Sequence, residues 1–269
     1  MIKFENDFNS AHTFDCGQCF RWEMSDNDYI GIASGKVCRV HDNELFCDDV
    51  DNEFWEDYFT LDVDYGAIKK ALSVNDEKLA QCIEYGQGIR ILKQDVWETT
   101  VSFIISANNN IPRIKKIILA MCELFGKPLE FEEKTYYSFP SAETISKLTV
   151  ADLAPLRAGF RDKYIIDAAQ KVANGEVNLN NITKLSTADA KTELMKIKGV
   201  GPKVADCVLL FSLKRFEVFP KDVWTKRILT DVYGIKEEIM DDFTADKYGE
   251  NAGIAQQYLY YYYRDNSSK

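Results

Sequence analysis

The chain has 269 residues, 46% of them hydrophobic, with 33 Lys and Arg against 43 Asp and Glu for a formal net charge of −10. That is enough chain for a sizeable core in one or two compact units, and no run is long and apolar enough for a membrane span or a secretory leader. An intracellular protein without membrane attachment is expected, in the cytoplasm or nucleoid if the source is bacterial, and the seven scattered cysteines read as reduced thiols rather than a disulfide framework.

Along residues 1–50, apolar segments at 19–22, 29–32, 36–40 and 44–47 are separated by turn-forming Ser, Asp, Asn and Gly, which predicts an antiparallel sheet. Helical spacing follows at 53–59, 65–73 and 76–84, and this α+β lobe is expected to end near residue 88. Asp95 and Glu98 have capping-box spacing and open a helix over 96–107, which stops at Asn108-Asn109-Asn110. Taken alone, three asparagines read as a helix stop and turn. Helices are expected at 112–125, 141–148, 150–158 and 164–174, with Ser141 and Thr149 as caps. Phe160, between Gly159 and Arg161, reads equally as a core anchor.

The segment Lys198-Gly199-Val200-Gly201-Pro202-Lys203 has two glycines two apart, closed by a proline and flanked by helical spacing. It predicts helix, hairpin, helix, with Pro202 in the first turn of the second helix and the amides of Val200, Gly201 and Lys203 free to hold an anion such as a phosphate. Lys203 and Cys207 are four apart and share a helix face. A lysine near the positive end of a helix, if partly desolvated, is expected to lose its proton more easily and to act as a nucleophile. Asp222 follows Pro220 and precedes helical spacing, so it reads as an N-cap whose carboxylate could also stabilise a cationic transition state. The region 236–246 reads as a solvated linker and helix start, and the last helix puts Gln256 and Tyr260 on one face, where a tyrosine stripe also serves packing.

Charge is segregated. Residues 1–90 sum to −11 and residues 91–269 to +1, while 191–227 hold nine basic and four acidic side chains. Local rather than total charge governs phosphate contact, so an acidic chain is compatible with a DNA partner. Cys16 and Cys19 form the only C-x-x-C pair, and with two histidines and no second pair a metal site is not expected.

The hairpin with Asp222 downstream resembles the helix-hairpin-helix, Gly/Pro-Asp motif of the DNA glycosylase superfamily. Within it, Cys16-Gly17-Gln18-Cys19-Phe20-Arg21-Trp22, the stretch from Ser106 through Asn108 to Arg113, and Gly253-Ile254-Ala255-Gln256 resemble the 8-oxoguanine DNA glycosylase family in order and spacing. The resemblance covers nearly the whole chain. It implies an α+β fold: a TATA-binding-protein-like antiparallel β-sheet lobe with helices over 1–88, then an all-α helix-hairpin-helix glycosylase region over 89–269. The catalytic motif lies at 190–230 and the C-terminal helix at 249–264.

The same resemblance implies roles. Lys203 is the nucleophile and Asp222 its electrostatic partner; Gly17, Cys207, Gln256 and Tyr260 bind the damaged base, and Asn108 fills the gap it leaves. Arg113 and Arg161 read the widowed partner, Phe160 is a wedge, and Val200, Gly201 and Trp224 meet the DNA backbone. Trp224 departs from the histidine familiar in animal members, which puts its phosphate contact in doubt. The implied partner is double-stranded DNA containing 8-oxoguanine, acted on by a monomer through a Schiff base. No cofactor is implied: the C-terminal four-cysteine cluster of iron–sulfur relatives is missing, and only a monovalent cation in the hairpin is left open. Competing readings are a glycosylase of the superfamily with another damaged base, a non-catalytic structure-specific DNA-binding protein, and, more remotely, a thiol oxidoreductase using Cys16 and Cys19.

Overall fold

The computed structural model describes residues 2–4, 7–47, 51–74 and 76–266. Strands β1 (Ile2–Lys3), β2 (Trp22–Ser25), β3 (Asp28–Ala33), β4 (Lys36–His41) and β5 (Glu44–Cys47) form an antiparallel sheet in the order β1-β5-β4-β3-β2. Its hairpins turn on Asp26-Asn27, Ser34-Gly35 and Asp42-Asn43, and all six residues have positive φ. Such mirror-image turns match the strand twist, which is why these residue types mark them in the sequence. Helix α1 (Ser10–Phe14) precedes β2, and its Phe14 ring stacks on Trp22 at 3.9 Å. Trp22 lies opposite Gly31, where an added Cβ would sit 2.3 Å from the indole. Of the expected strand at 19–22, only Trp22 lies in β2, although the Arg21 carbonyl still accepts from the Ile32 amide at 3.2 Å; the residues before it bend around Gly17, whose φ is +88°.

Helix α2 (Asn52–Tyr58) closes this sheet with Trp55, Tyr58 and the following Phe59 in a small aromatic core. Helices α3 (Tyr65–Ser73) and α4 (Glu77–Tyr85) also precede residue 88, yet Leu72, Leu79, Cys82 and Ile83 belong to the larger core of the helical region. Packing therefore divides before the chain does. Asp76, the N-cap of α4, reinforces this: its buried carboxylate accepts from the hydroxyls of Tyr233 and Tyr248 at 3.2 Å and pairs with Lys247 at 3.2 Å.

The larger core is built by α5 (Val96–Ser106), α6 (Ile111–Phe125), α7 (Ala142–Ile145), α8 (Asp162–Ala173), α9 (Thr187–Leu194), α10 (Pro202–Leu213), α12 (Met240–Tyr248) and α13 (Ala252–Asn266), while the short α11 (Val223–Arg227) follows α10 outside it. Helix α5 runs through its middle, with Val101, Phe103, Ile104 and Ile105 buried and Phe103 stacked on Phe211 at 5.5 Å. Each such side chain contributes about 1.5–3 kcal/mol of transfer free energy. No helix among the described residues is long and apolar enough to cross a membrane.

Several local expectations are corrected. Residues 150–158 hold only a short 3-10 turn at Ala154–Leu156, because Pro155 has no amide to give and Arg157 then turns left-handed at φ 54°. Thr149 is not a cap; its amide and hydroxyl donate to Asp152 at 2.8 and 2.7 Å. Asp95 does cap α5, accepting from the Glu98 amide at 2.8 Å, but Glu98 does not complete the box. Its carboxylate pairs instead with Arg21 at 3.3 Å, and both side chains are largely buried. A hairpin of β6 (Pro128–Phe131) and β7 (Lys134–Tyr137), unexpected from the sequence, turns on Glu132-Glu133 with φ of 47° and 61°.

Candidate active site

The hairpin joins α9 to α10 and is held by the Lys198 amide, which donates to Asp167 at 2.8 Å. Gly199 has φ +88°, and a Cβ there would lie 2.7 Å from the Tyr164 ring, so both backbone and space demand glycine. Gly201 differs. Its φ of −93° suits any residue, and an added Cβ would meet nothing within 4 Å. The Val200 amide is not free as expected; it donates to the Ile197 carbonyl at 3.1 Å, and the Val200 side chain is buried. The anion-binding end of α10 is thus left to Gly201 and Lys203, with Pro202 at the first helical position.

One cavity of ≈150 Å³ is lined by Gly17, Lys203, Cys207, Asp222, Trp224, Gln256 and Tyr260. Six of these come from α10, α13 and the start of α11, and Gly17 from the turn before β2. Lys203 lies over the Phe103 ring, its ammonium 5.1 Å from the centroid. Loss of hydration, the largest single influence, pulls the Lys203 pKa down, but Cys207, Asp222 and Tyr260 together hold it above the ordinary lysine value. The expectation of an easily lost proton is therefore corrected: Lys203 rests as an ammonium. Burial pushes the Cys207 thiol up to about 11, against the pull of Lys203, so near neutral pH it is a thiol. Asp222 caps α11 in a reciprocal box, accepting from the Thr225 amide while its own amide donates to the Thr225 hydroxyl, both at 2.8 Å.

Gln256 is 5% exposed, and its Oε1 is buried without a hydrogen-bond partner. Buried acceptors are ordinarily satisfied, so an orphan at a cavity wall marks a place where a donor is missing. The left-handed Gly17 lies against Tyr260, whose ring would be 3.2 Å from an added Cβ. Burial raises the Tyr260 pKa, and the phenol stays protonated. Trp224 is 37% exposed and stands 6.0 Å from the Arg227 guanidinium, so its indole offers surface at the cavity mouth rather than a charged contact.

The remaining candidates gather on a rim beside this cavity. Asn108 is exposed with φ +50°, Arg113 is exposed and donates to the Arg157 carbonyl at 3.0 Å, and Phe160 is 51% exposed. Arg161 differs from expectation. It is 3% exposed, lies 4.4 Å from the Phe160 ring, and spends its guanidinium on the carbonyls of Ala107, Asn108 and Ala158. In this state Arg161 fastens the asparagine loop and does not present donors outward. Asn109, which the sequence did not single out from its neighbours, lines the cavity with Ser106 and donates to the Ile105 carbonyl at 3.1 Å.

Residues 1–100 match the N-terminal domain family of 8-oxoguanine DNA glycosylase, and residues 101–248 match the HhH-GPD superfamily of base excision DNA repair proteins. An N-glycosylase/DNA lyase of Saccharomyces cerevisiae is 33% identical over 258 residues, covering 84% of this chain and 68% of that protein. The crystal structure of an 8-oxoguanine glycosylase/lyase of Clostridium acetobutylicum, in complex with double-stranded DNA containing cytosine opposite 8-oxoguanine, is 43% identical. It superimposes with a TM-score of 0.92 over 97% of this chain and 93% of that one. The protein MBOgg1, solved with a low-affinity DNA ligand, is 45% identical with a TM-score of 0.94 over 99% and 95% of the two chains. With its sheet lobe, its hairpin and its lysine-lined cavity all inside the matched regions, the chain belongs to the HhH-GPD superfamily of base excision DNA repair proteins and, within it, to the 8-oxoguanine DNA glycosylases.

Proposed function

We propose that this chain is a bifunctional DNA glycosylase and abasic-site lyase that excises 8-oxoguanine from duplex DNA. The observation that carries the reading is the meeting, around one ≈150 Å³ cavity, of an amine, a carboxylate, a thiol, a phenol ring and two acceptors, Gln256 Oε1 and the Gly17 carbonyl, that have no donor among the described residues. A base within a duplex hides its glycosidic bond, so the nucleotide is extruded into the cavity. Cys207 and Tyr260 cover the two faces of the base, and Gln256 Oε1 takes a donor from its pairing edge. The Gly17 carbonyl accepts the N7 proton that 8-oxoguanine has and guanine lacks; guanine's N7 lone pair would repel it.

Lys203 gives its ammonium proton to the departing base, and the freed Nζ lone pair bonds to C1′ of the deoxyribose as the bond from C1′ to the base nitrogen breaks, its electron pair leaving with the base. Asp222 steadies the positive charge on the sugar. Loss of a proton from Nζ and opening of the sugar give a Schiff base, and β-elimination nicks the strand. Because Lys203 rests as an ammonium, its deprotonation belongs to the reaction rather than to the free enzyme. The chemistry calls on no metal or cluster. Outside the cavity, Asn108 occupies the gap in the stack, Phe160 wedges the neighbouring step, Arg113 reads the opposite base, and Gly201 with the end of α10 holds a phosphate, with Trp224 packing against the adjacent backbone.

Incubation with duplexes carrying 8-oxoguanine, another oxidised or alkylated purine, or guanine, each opposite cytosine, tests the substrate. Free 8-oxoguanine and a nicked strand are expected from the first alone. Release of an alkylated purine in preference would point to a different glycosylase, and tight binding without release of any base to a non-catalytic DNA-binding protein.

A further inference from the structure

The Gly17 carbonyl is singular in its loop. The Thr13 carbonyl accepts from the Gln18 amide at 2.8 Å and the Cys16 thiol at 3.2 Å, and the Phe14 carbonyl from the Cys19 thiol at 3.5 Å. Arg264 Nη1 donates to the Asp15 carbonyl at 2.8 Å, Gln257 Nε2 to the Cys16 carbonyl at 2.7 Å, and Gln94 Nε2 to the Gln18 carbonyl at 2.8 Å. Every carbonyl from residue 13 to 18 is held by a side chain except that of Gly17, which accepts no hydrogen bond among the described residues.

Two of these ties come from one helix. Gln257 and Arg264 both lie on α13, the helix that also carries Gln256 and Tyr260. Gln257 is 2% exposed and its bond to Cys16 is fully buried, across 241 residues of sequence. Arg264 lies 5.7 Å from the Tyr260 ring centroid and 3.7 Å from where a Gly17 Cβ would sit. A left-handed glycine between two peptide units is free to rotate unless those units are pinned, and a carbonyl that must distinguish a donor from a lone pair has to be fixed in direction.

We propose that Gln257 and Arg264 are positioning residues for base selection: by holding the Cys16 and Asp15 carbonyls, they fix the Gly17 carbonyl toward the cavity and tie it in register with the pairing-edge reader one residue away. Base identity is thus read by two acceptors mounted on a single helix, one directly and one through these two bonds. The inference rests on the functional reading above. It differs from that reading in what it predicts for chemistry that needs no base.

Single-turnover rates of 8-oxoguanine release opposite cytosine and of cleavage at a ready-made abasic site are measured for the full chain and for Gln257→Leu, Gln257→Glu and Arg264→Met. An abasic site offers nothing for Gly17 to read. The ratio of base release to abasic cleavage is expected to fall about tenfold, the rate equivalent of one hydrogen bond of positioning, with Gln257→Glu falling furthest because its carboxylate faces a carbonyl. An unchanged ratio in both Gln257 variants overturns the inference, and so does an equal loss of both activities, which would make Gln257 a packing residue only. If the Gln257 variants do not fold, the ratio in Arg264→Met decides, and a wild-type value there overturns it. Failure of the unaltered chain to release 8-oxoguanine instead sinks the functional reading.

Discussion

Arg161 and Arg113 show how two arginines of one rim can hold different jobs. Arg161 is buried and bonded to three backbone carbonyls, whereas Arg113 is exposed with one such bond. Removing a hydrogen-bonded charged group that satisfies buried carbonyls costs about 2–4 kcal/mol, by the magnitudes of charge-assisted bonds. Arg161→Ala is therefore expected to lower the unfolding midpoint and loosen the 107–110 loop. Arg113→Ala should leave the midpoint near wild type and reduce the preference for cytosine opposite the lesion. Thermal unfolding alongside excision kinetics on duplexes differing only in the opposite base checks both; equal destabilisation by the two variants would contradict this division. The anchoring role of Arg161 was not legible in the sequence, because two of its three partners, the Ala107 and Asn108 carbonyls, are backbone atoms some fifty positions away that have no side-chain signature. The same holds for Gln257 and Arg264. Lys203 and Cys207 were legible, because helical spacing alone puts them together.

Glu98 links the charge state of one buried carboxyl to stability. Burial pushes its carboxyl up to about 7, with the Arg21 guanidinium opposing. Since that is above its value in an unfolded chain, roughly 4.3, the folded state holds a proton between these limits that the unfolded state has lost. Its contribution to stability is full below about pH 4.3 and is lost as pH rises toward 7. The shift corresponds to at most about 3–4 kcal/mol, and to about half that once residual solvent contact is counted. In Glu98→Gln this part of the decline in stability between pH 5 and 7.5 should vanish, as read from urea unfolding at the two pH values; an unaltered decline would assign it to other groups.

At the scale of the element, the two hairpin glycines separate folding from function. Gly199→Ala must adopt a left-handed backbone and push a Cβ into Tyr164, so a loss of about 1–3 kcal/mol is expected. Gly201→Ala meets neither obstacle, and its Cβ would enter the open space before α10. Its stability should stay within about 0.5 kcal/mol of wild type while affinity for duplex DNA falls, as measured by fluorescence anisotropy at fixed salt. A Gly201→Ala chain that binds normally would move the phosphate contact away from the hairpin. The sheet hairpins were readable because Asp-Asn and Ser-Gly announce left-handed turns, while β6 and β7 escaped because Glu132-Glu133 is an uncharacteristic pair for such a turn. The expected helix at 150–158 ignored what Pro155 does to a helical hydrogen-bond ladder.

At the scale of the molecule, α3 and α4 belong by sequence to the first lobe and by packing to the second. The fragment 89–269 would leave α13 without α4, exposing an apolar face that the chain buries. It is expected to lose cooperative thermal unfolding, whereas a fragment beginning near residue 62 should retain more of it; a cooperative 89–269 would contradict this packing argument. The charge follows the same division, with an acidic first lobe and a basic hairpin region, so DNA affinity should fall with salt by a slope set by the few phosphates met around the hairpin rather than by the whole surface.

One amine, Lys203, is expected to form a covalent bond to the sugar of an oxidised nucleotide. Borohydride reduction during incubation with an 8-oxoguanine·cytosine duplex, followed by digestion and mass spectrometry of the cross-linked peptide, tests it most directly. An adduct on Lys203 is expected, absent with a guanine·cytosine duplex and absent from Lys203→Gln although that variant still binds the lesion. An adduct on another residue, or base release with no trappable adduct at all, would contradict it.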